Sequence, residues 1–165
     1  MPLHRDVIRA GALLGVSGGA LRAIGSFAPI LIASDPARAK LYLVIDVCLA
    51  AGLLSIYISL RDRIAVLGSV GFYVALSGLI ATRTSAALTR IDLYPIFAAM
   101  VASGILVLAF SAWRAARLSA WVPVSLALSL GIGSVGTFVA GAGSLFVVSG
   151  ILFGVAFAAM AIVAY

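Results

Sequence analysis

Apolar residues in this chain come in long unbroken runs separated by short polar stretches. They show neither strand-like alternation nor the one-sided stripe of a soluble helix. Six runs stand out, at about 8–33, 40–60, 64–82, 93–113, 120–140 and 143–164. A helix rising about 1.5 Å per residue needs roughly twenty apolar residues to cross a hydrocarbon layer of about 30 Å. The pattern therefore predicts an all-α fold, a polytopic transmembrane bundle of six helices.

The connections are short, which forces neighbouring helices antiparallel and predicts one up-down membrane domain over 1–165. Asp35-Pro36 reads as a turn opener and "RDR" (61–63) as a tight link. "RTSAALTRID" (83–92) reads as the longest loop, with Asp92 capping a helix that carries Pro95 in its first turn. Ser119 is the next expected cap, and "AGAG" (140–143) the last turn.

Composition strengthens the membrane reading. Of 165 residues, 64% are hydrophobic and 10% charged, with a mean hydropathy of +1.26; soluble domains are roughly half apolar and about a quarter charged. Glu, Asn and Gln are absent, and Lys40, His4 and Cys48 are each the single residue of their kind. One cysteine forms neither an internal disulfide nor a thiolate metal cluster, so no metal or other cofactor is expected. His4, in the N-terminal tail, reads as an interfacial residue, and Cys48 as a buried small hydrophobe.

The net charge of +6 lies mostly in the connections, where it marks membrane orientation and not nucleic-acid binding. Arg5, Arg9, Arg61, Arg63, Arg114 and Arg117 fall on one side, against Arg38, Lys40, Arg83 and Arg90 on the other. This balance expects both termini in the cytoplasm. Trp113 and Trp121 would then mark the cytoplasmic interface, and Tyr42 and Tyr94 the opposite one. Arg22 interrupts the first run, which also exceeds a signal-peptide core, so that run is expected to be a membrane helix. The arginine-rich, lysine-poor composition suggests a bacterial inner membrane. Residues 8–82 and 91–165 show no convincing internal repeat, against an inverted-repeat transporter.

"GIGSVG" (131–136) matches the glycine fingerprint of dinucleotide-binding folds. That fingerprint needs a strand before it and an acidic residue about twenty positions later. Here it lies inside one apolar run, and no acid follows Asp92. The match is coincidental.

The glycines serve packing instead, since small residues let helices approach closely in lipid. Ser125, Ser129, Gly133, Gly136 and Ala140 fall on one side of the fifth run; Gly150, Gly154 and Ala158 share a face of the sixth; Gly68, Gly71, Ala75 and Gly78 share one of the third. The fifth and sixth helices are expected to pack tightly, and any small face left outside would join copies of the chain or a membrane partner.

Two charges lie well inside apolar runs. Gly11, Gly15, Gly18, Arg22, Gly25 and Pro29 fall within about 40° of one line at roughly 100° per residue, so Arg22 is expected to face the bundle interior. Asp46 shares a face with Tyr42, Ala50, Leu53 and Tyr57. Counted from the ends of these runs, Arg22 is about 16 Å deep and Asp46 about 9 Å, a difference that a snorkelling arginine spans. An Arg22–Asp46 ion pair is therefore expected, within a polar centre that includes Tyr42 and Tyr57. An unpaired charge at mid-membrane costs roughly 2.5–3.5 kcal/mol. The pair could fix helix register or serve a substrate.

No catalytic constellation is visible, so the chain is not expected to be an enzyme. The sequence favours an accessory or assembly subunit packing against lipid or a membrane protein. The alternative is a homo-oligomeric transporter or channel for a small solute or ion, built on Arg22 and Asp46. A wet central cavity reaching these residues would favour transport.

Overall fold

A computed structural model describes residues 2–88, 93–139 and 143–165. These form seven helices: α1 (Pro2–Gly25), α2 (Ala28–Leu31), α3 (Asp35–Leu60), α4 (Val66–Leu88), α5 (Tyr94–Arg114), α6 (Trp121–Phe138) and α7 (Gly143–Ala164), with no strand among the described residues. All but α2 contain a span long and apolar enough to cross a membrane. The fold is the expected bundle of six long helices. Arg90, the Asp92 cap, the His4 side chain and the turn at 140–142 lie outside the described residues.

The boundaries differ from the expected ones where backbone chemistry competes with hydropathy. The first apolar run is not one helix. Pro29 has no N–H to give the carbonyl of Gly25, and its ring would collide with it; α1 stops at Gly25 and Pro29 opens the separate turn α2. Asp35-Pro36 does not form a turn between helices. Pro36 occupies the tolerated first turn of α3, which begins five residues earlier than hydropathy alone suggests. Ser119 is not a side-chain cap: Ala120 takes the N-cap position of α6, and Ser119 accepts the Val122 amide through its backbone carbonyl at 3.1 Å.

The most consequential difference is in α4. The stretch expected to be a loop from Arg83 continues the helix to Leu88. It contains no Pro or Gly to break it, and the Thr82 and Thr84 hydroxyls donate back to the carbonyls of Gly78 (2.8 Å) and Ile80 (3.2 Å). Arg83 is thereby a helical residue with a fixed direction.

After α5, Ala116 takes a left-handed conformation with φ 56°. Its amide reaches Trp113 O at 2.8 Å and the Arg117 amide reaches Ala112 O at 2.9 Å, the bond pair of a Schellman termination. Glycine normally fills this position because a Cβ costs roughly 1 kcal/mol there. Ala116→Gly is expected to stabilise the bundle by about that amount, read as a higher midpoint of unfolding in mixed micelles; an unchanged or lower midpoint would contradict it.

The helices form a closed circuit. α1 packs on α3 and α7, α6 on α7, and α4 on α5, while the α3–α4 and α5–α6 contacts that complete the circuit are sparser. Three crossings are made glycine to glycine. A methyl group on Gly15 would lie 2.8 Å from the Gly52 Cα, one on Gly19 2.5 Å from the Gly154 carbonyl oxygen, and one on Gly71 2.7 Å from that of Gly104. The other glycines expected to pack also meet neighbours: Gly11 meets Ser55, Gly18 Cys48, Gly25 Ile45, Gly68 Ser111, Gly78 Val101, Gly136 Phe146 and Gly150 Ser26. Gly133 faces Ser149, and Ser129 and Ser149 each donate a hydroxyl to the other's carbonyl at 2.8 Å, tying α6 to α7.

Apolar side chains occupy the outside of the bundle as well as its core. Long aliphatic side chains such as Leu43, Val47, Ile80, Leu128 and Ile162 face outward, as contact with lipid tails allows. The fully buried set includes Leu53, Ile56, Leu108, Leu126, Phe157 and Met160. Ile45, equally buried, lies toward the other end of α3, whereas these six belong to the half of the bundle that holds both chain ends, where Arg9 lies over the Tyr165 ring. That half is a packed plug. The opposite half is not.

Candidate ligand cavity

Away from the plug, the six long helices diverge around a cavity of about 570 Å³. Each contributes from the end opposite the chain termini. α1 gives Arg22; α3 gives Tyr42, Asp46 and Leu49; α4 gives Leu79, Thr82 and Arg83; α5 gives Tyr94 and the residues around Ala98 and Ala102; α6 gives Ser129, Gly133, Ser134 and Thr137; α7 gives Phe146, Ser149 and Phe153. A lining this mixed, with polar groups set in an apolar wall, is the usual make-up of a small-molecule site.

Asp46 is the charged centre of the lining. Arg83 donates to its Oδ2 from Nε at 2.6 Å, with Nη2 at 2.5 Å from the same oxygen. The pair is partly shielded, with 22% of the Asp46 and 36% of the Arg83 side chain exposed. The ion pair expected between Arg22 and Asp46 is therefore replaced by Arg83–Asp46. Helix boundaries explain the change. With α1 ending at Gly25, Arg22 lies about 4.5 Å from the end of its helix, whereas Asp46 lies about 16 Å into α3. The expected depths are reversed, and the extended α4 brings Arg83 directly to the carboxylate.

Arg22 still belongs to the same cavity. No carboxylate among the described residues lies within ion-pair distance of its guanidinium. Its place in the last turn of α1 complements the negative end of that helix. The carbonyl of Arg22 is itself held by the Ser26 hydroxyl at 2.9 Å. Tyr42 closes this corner by donating its hydroxyl to the Gly25 carbonyl at 3.2 Å, which joins α3 to the end of α1.

Tyr57 does not join this centre. It lies toward the plug, stacked on Phe72 with ring centroids 4.0 Å apart and 3.4 Å from the Ser69 hydroxyl. About four turns of helix separate it from Tyr42, so a shared face does not make a shared site. Ser129 lines the cavity floor, whereas Ser125 does not reach the lining. Cys48 is half-buried against Gly18. The remaining described acids with ion-pair partners stand at the surface, Asp35 paired with Arg38 and Asp62 at 3.7 Å from Arg61.

Sequence reasoning missed Arg83, Ser149 and Thr82. Leu79, Thr82 and Arg83 have the i, i+3, i+4 spacing of one helix face, a signal hidden by ending the third helix at residue 82. The chain matches no protein-family profile, no curated protein and no solved structure.

Proposed function

We propose that this membrane protein is a carrier that binds a small solute in the cavity between its six long helices. The single observation that carries this reading is the convergence of all six on one space in which Arg22, Asp46 and Arg83 are set in a largely apolar wall. Charged groups are expensive inside a bilayer unless they meet a partner or a water-filled path; Arg83 and Asp46 meet each other, and Arg22 faces the cavity. With the termini in the cytoplasm, as the arginine distribution expects, the cavity opens outward and the plug closes the inner side. The reading needs no catalytic step.

A carrier also needs parts that move, and the packing supplies two bodies. The hairpin of α4 and α5 is locked internally at Gly71 and Gly104, while α1, α3, α6 and α7 form the more continuous unit. Among the described residues, the polar and aromatic links between α3 and α4 are the packing of Tyr57 on Phe72 and Tyr73, the Tyr57–Ser69 contact and Arg83–Asp46. Rocking of the hairpin would open the plug side and close the cavity mouth. The small-residue faces on which an accessory role rested meet helices of the same chain, which leaves that role with less surface.

The test needs no knowledge of the solute. In a Cys48→Ala background, Ala98→Cys places a thiol in the cavity wall. A membrane-impermeant methanethiosulfonate is expected to modify it from the cavity mouth rapidly and from the opposite face more slowly, in oriented proteoliposomes. Modification from one face alone, or from neither, overturns the carrier reading.

A further inference from the structure

We infer that the cavity selects a small organic monoanion, with Arg22 as the residue that receives its charge. The inference rests on the reading of this cavity as a solute site. Its charged lining consists of two arginines and one aspartate among the described residues. Arg83 is committed to Asp46 through two of its nitrogens, so that pair is close to neutral as a unit. Arg22 remains with a full positive charge, a half-buried side chain and no carboxylate in contact among the described residues. Among the described residues the lining therefore carries one excess positive charge, which a neutral solute would leave without a carboxylate and a cationic one would increase.

The chemistry of the guanidinium narrows the class. It is planar, cannot be deprotonated in a protein and presents a fork of donors that matches a carboxylate at two points. The apolar part of the wall fits the rest of such a solute, with Phe146 and Phe153 contributed by α7 and Leu49 and Leu79 by α3 and α4. Asp46, which would otherwise repel an anion, is screened by Arg83. The two arginines therefore differ in what they neutralise. Arg83 balances the carboxylate of the protein, and Arg22 is left for the carboxylate of the solute.

The same head group is carried by water-borne acids and by membrane fatty acids. Benzoate probes the first source and dodecanoate the second; the tighter ligand in lipid nanodiscs names the source. Benzamide and benzylammonium serve as neutral and cationic counterparts of nearly the same shape. Equilibrium dialysis with the intact chain is expected to show a carboxylate bound about tenfold or more tightly than benzamide, with benzylammonium weaker still. Arg22→Gln should abolish the preference, and Arg22→Lys should keep part of it, since the charge remains and the fork is lost. Equal binding of benzoate, dodecanoate and benzamide by the unaltered chain would overturn the inference, as would a preference that survives Arg22→Gln. Thiol labelling separates the two failures. An Ala98→Cys thiol reached from both faces without anion preference sinks the anion class and leaves the carrier. One-sided labelling with anion preference does the reverse.

Discussion

Asp46→Ala is expected to cost the bundle roughly 2–3 kcal/mol, and the additional change Arg83→Ala is expected to recover most of it. The loss comes less from the ion pair itself than from what its removal leaves behind. Arg83 would remain on α4, facing a cavity that already holds Arg22, with no carboxylate to meet it. A fully buried pair broken in this way costs about 3–5 kcal/mol; the partial exposure of both partners places this one lower. The paired deletion removes both the charge and its complement, so the two effects are strongly non-additive. Reversible unfolding in mixed micelles measures each corner of the cycle. The same cycle with Arg22→Ala should give a much smaller coupling, because no ion-pair contact joins Arg22 to Asp46. A coupling to Arg22 as large as that to Arg83 would sink the assignment of the pair, and with it the idea that Arg22 is left for a ligand.

That contrast also shows where the sequence stops being informative. Runs of about twenty apolar residues determine the number and approximate placement of the spans, because the bilayer imposes one length on all of them. Asp46 and Arg22 are conspicuous for the same reason: each is a charge where hydrocarbon is expected. Their partners are another matter. A helix end is set by Pro29 or by a threonine hydroxyl bonding back to its own turn, and each such shift of a few residues moves a side chain by several ångströms in depth. Ending the third helix at residue 82 rather than at Leu88 makes Arg83 a loop residue and hides the ion pair. The small faces are visible by spacing, but spacing does not say which helix they meet. Gly18 faces α3 while its neighbour Gly19 faces α7, and Gly15, one turn earlier, meets both. Gly19, Gly52 and Gly104 escape notice in the sequence because each lies off the row that draws attention, or alone in its run. Tyr57 is misplaced for the complementary reason, since a common face does not imply a common depth.

The second large effect is expected at the α1–α3 crossing, where Gly52→Leu should destabilise the bundle by about 3 kcal/mol, at the upper end of ordinary overpacking penalties. A side chain at this position meets the Cα of Gly15 and, at 3.2 Å, the ring of Phe157. Backbone cannot rotate aside as a flexible side chain can. The helices must separate, and separation at Gly52 also pulls Gly11 from Ser55 and Gly18 from Cys48 along the same line. In lipid there is no hydrophobic gain to offset this loss, because tails replace the lost contacts with others equally apolar. Gly131→Ala provides the opposite case within the same protein. A methyl group there meets nothing within 4 Å, and in a helix interior the change from glycine should gain up to about 1 kcal/mol. Micelle unfolding midpoints that move in opposite directions for the two variants would establish that glycine is required at the crossing for proximity and is merely tolerated on the open face. A Gly52→Leu midpoint that does not fall would mean that α1 and α3 can part at little cost, and the rigid four-helix unit on which the α4–α5 hairpin is proposed to rock would lose its basis.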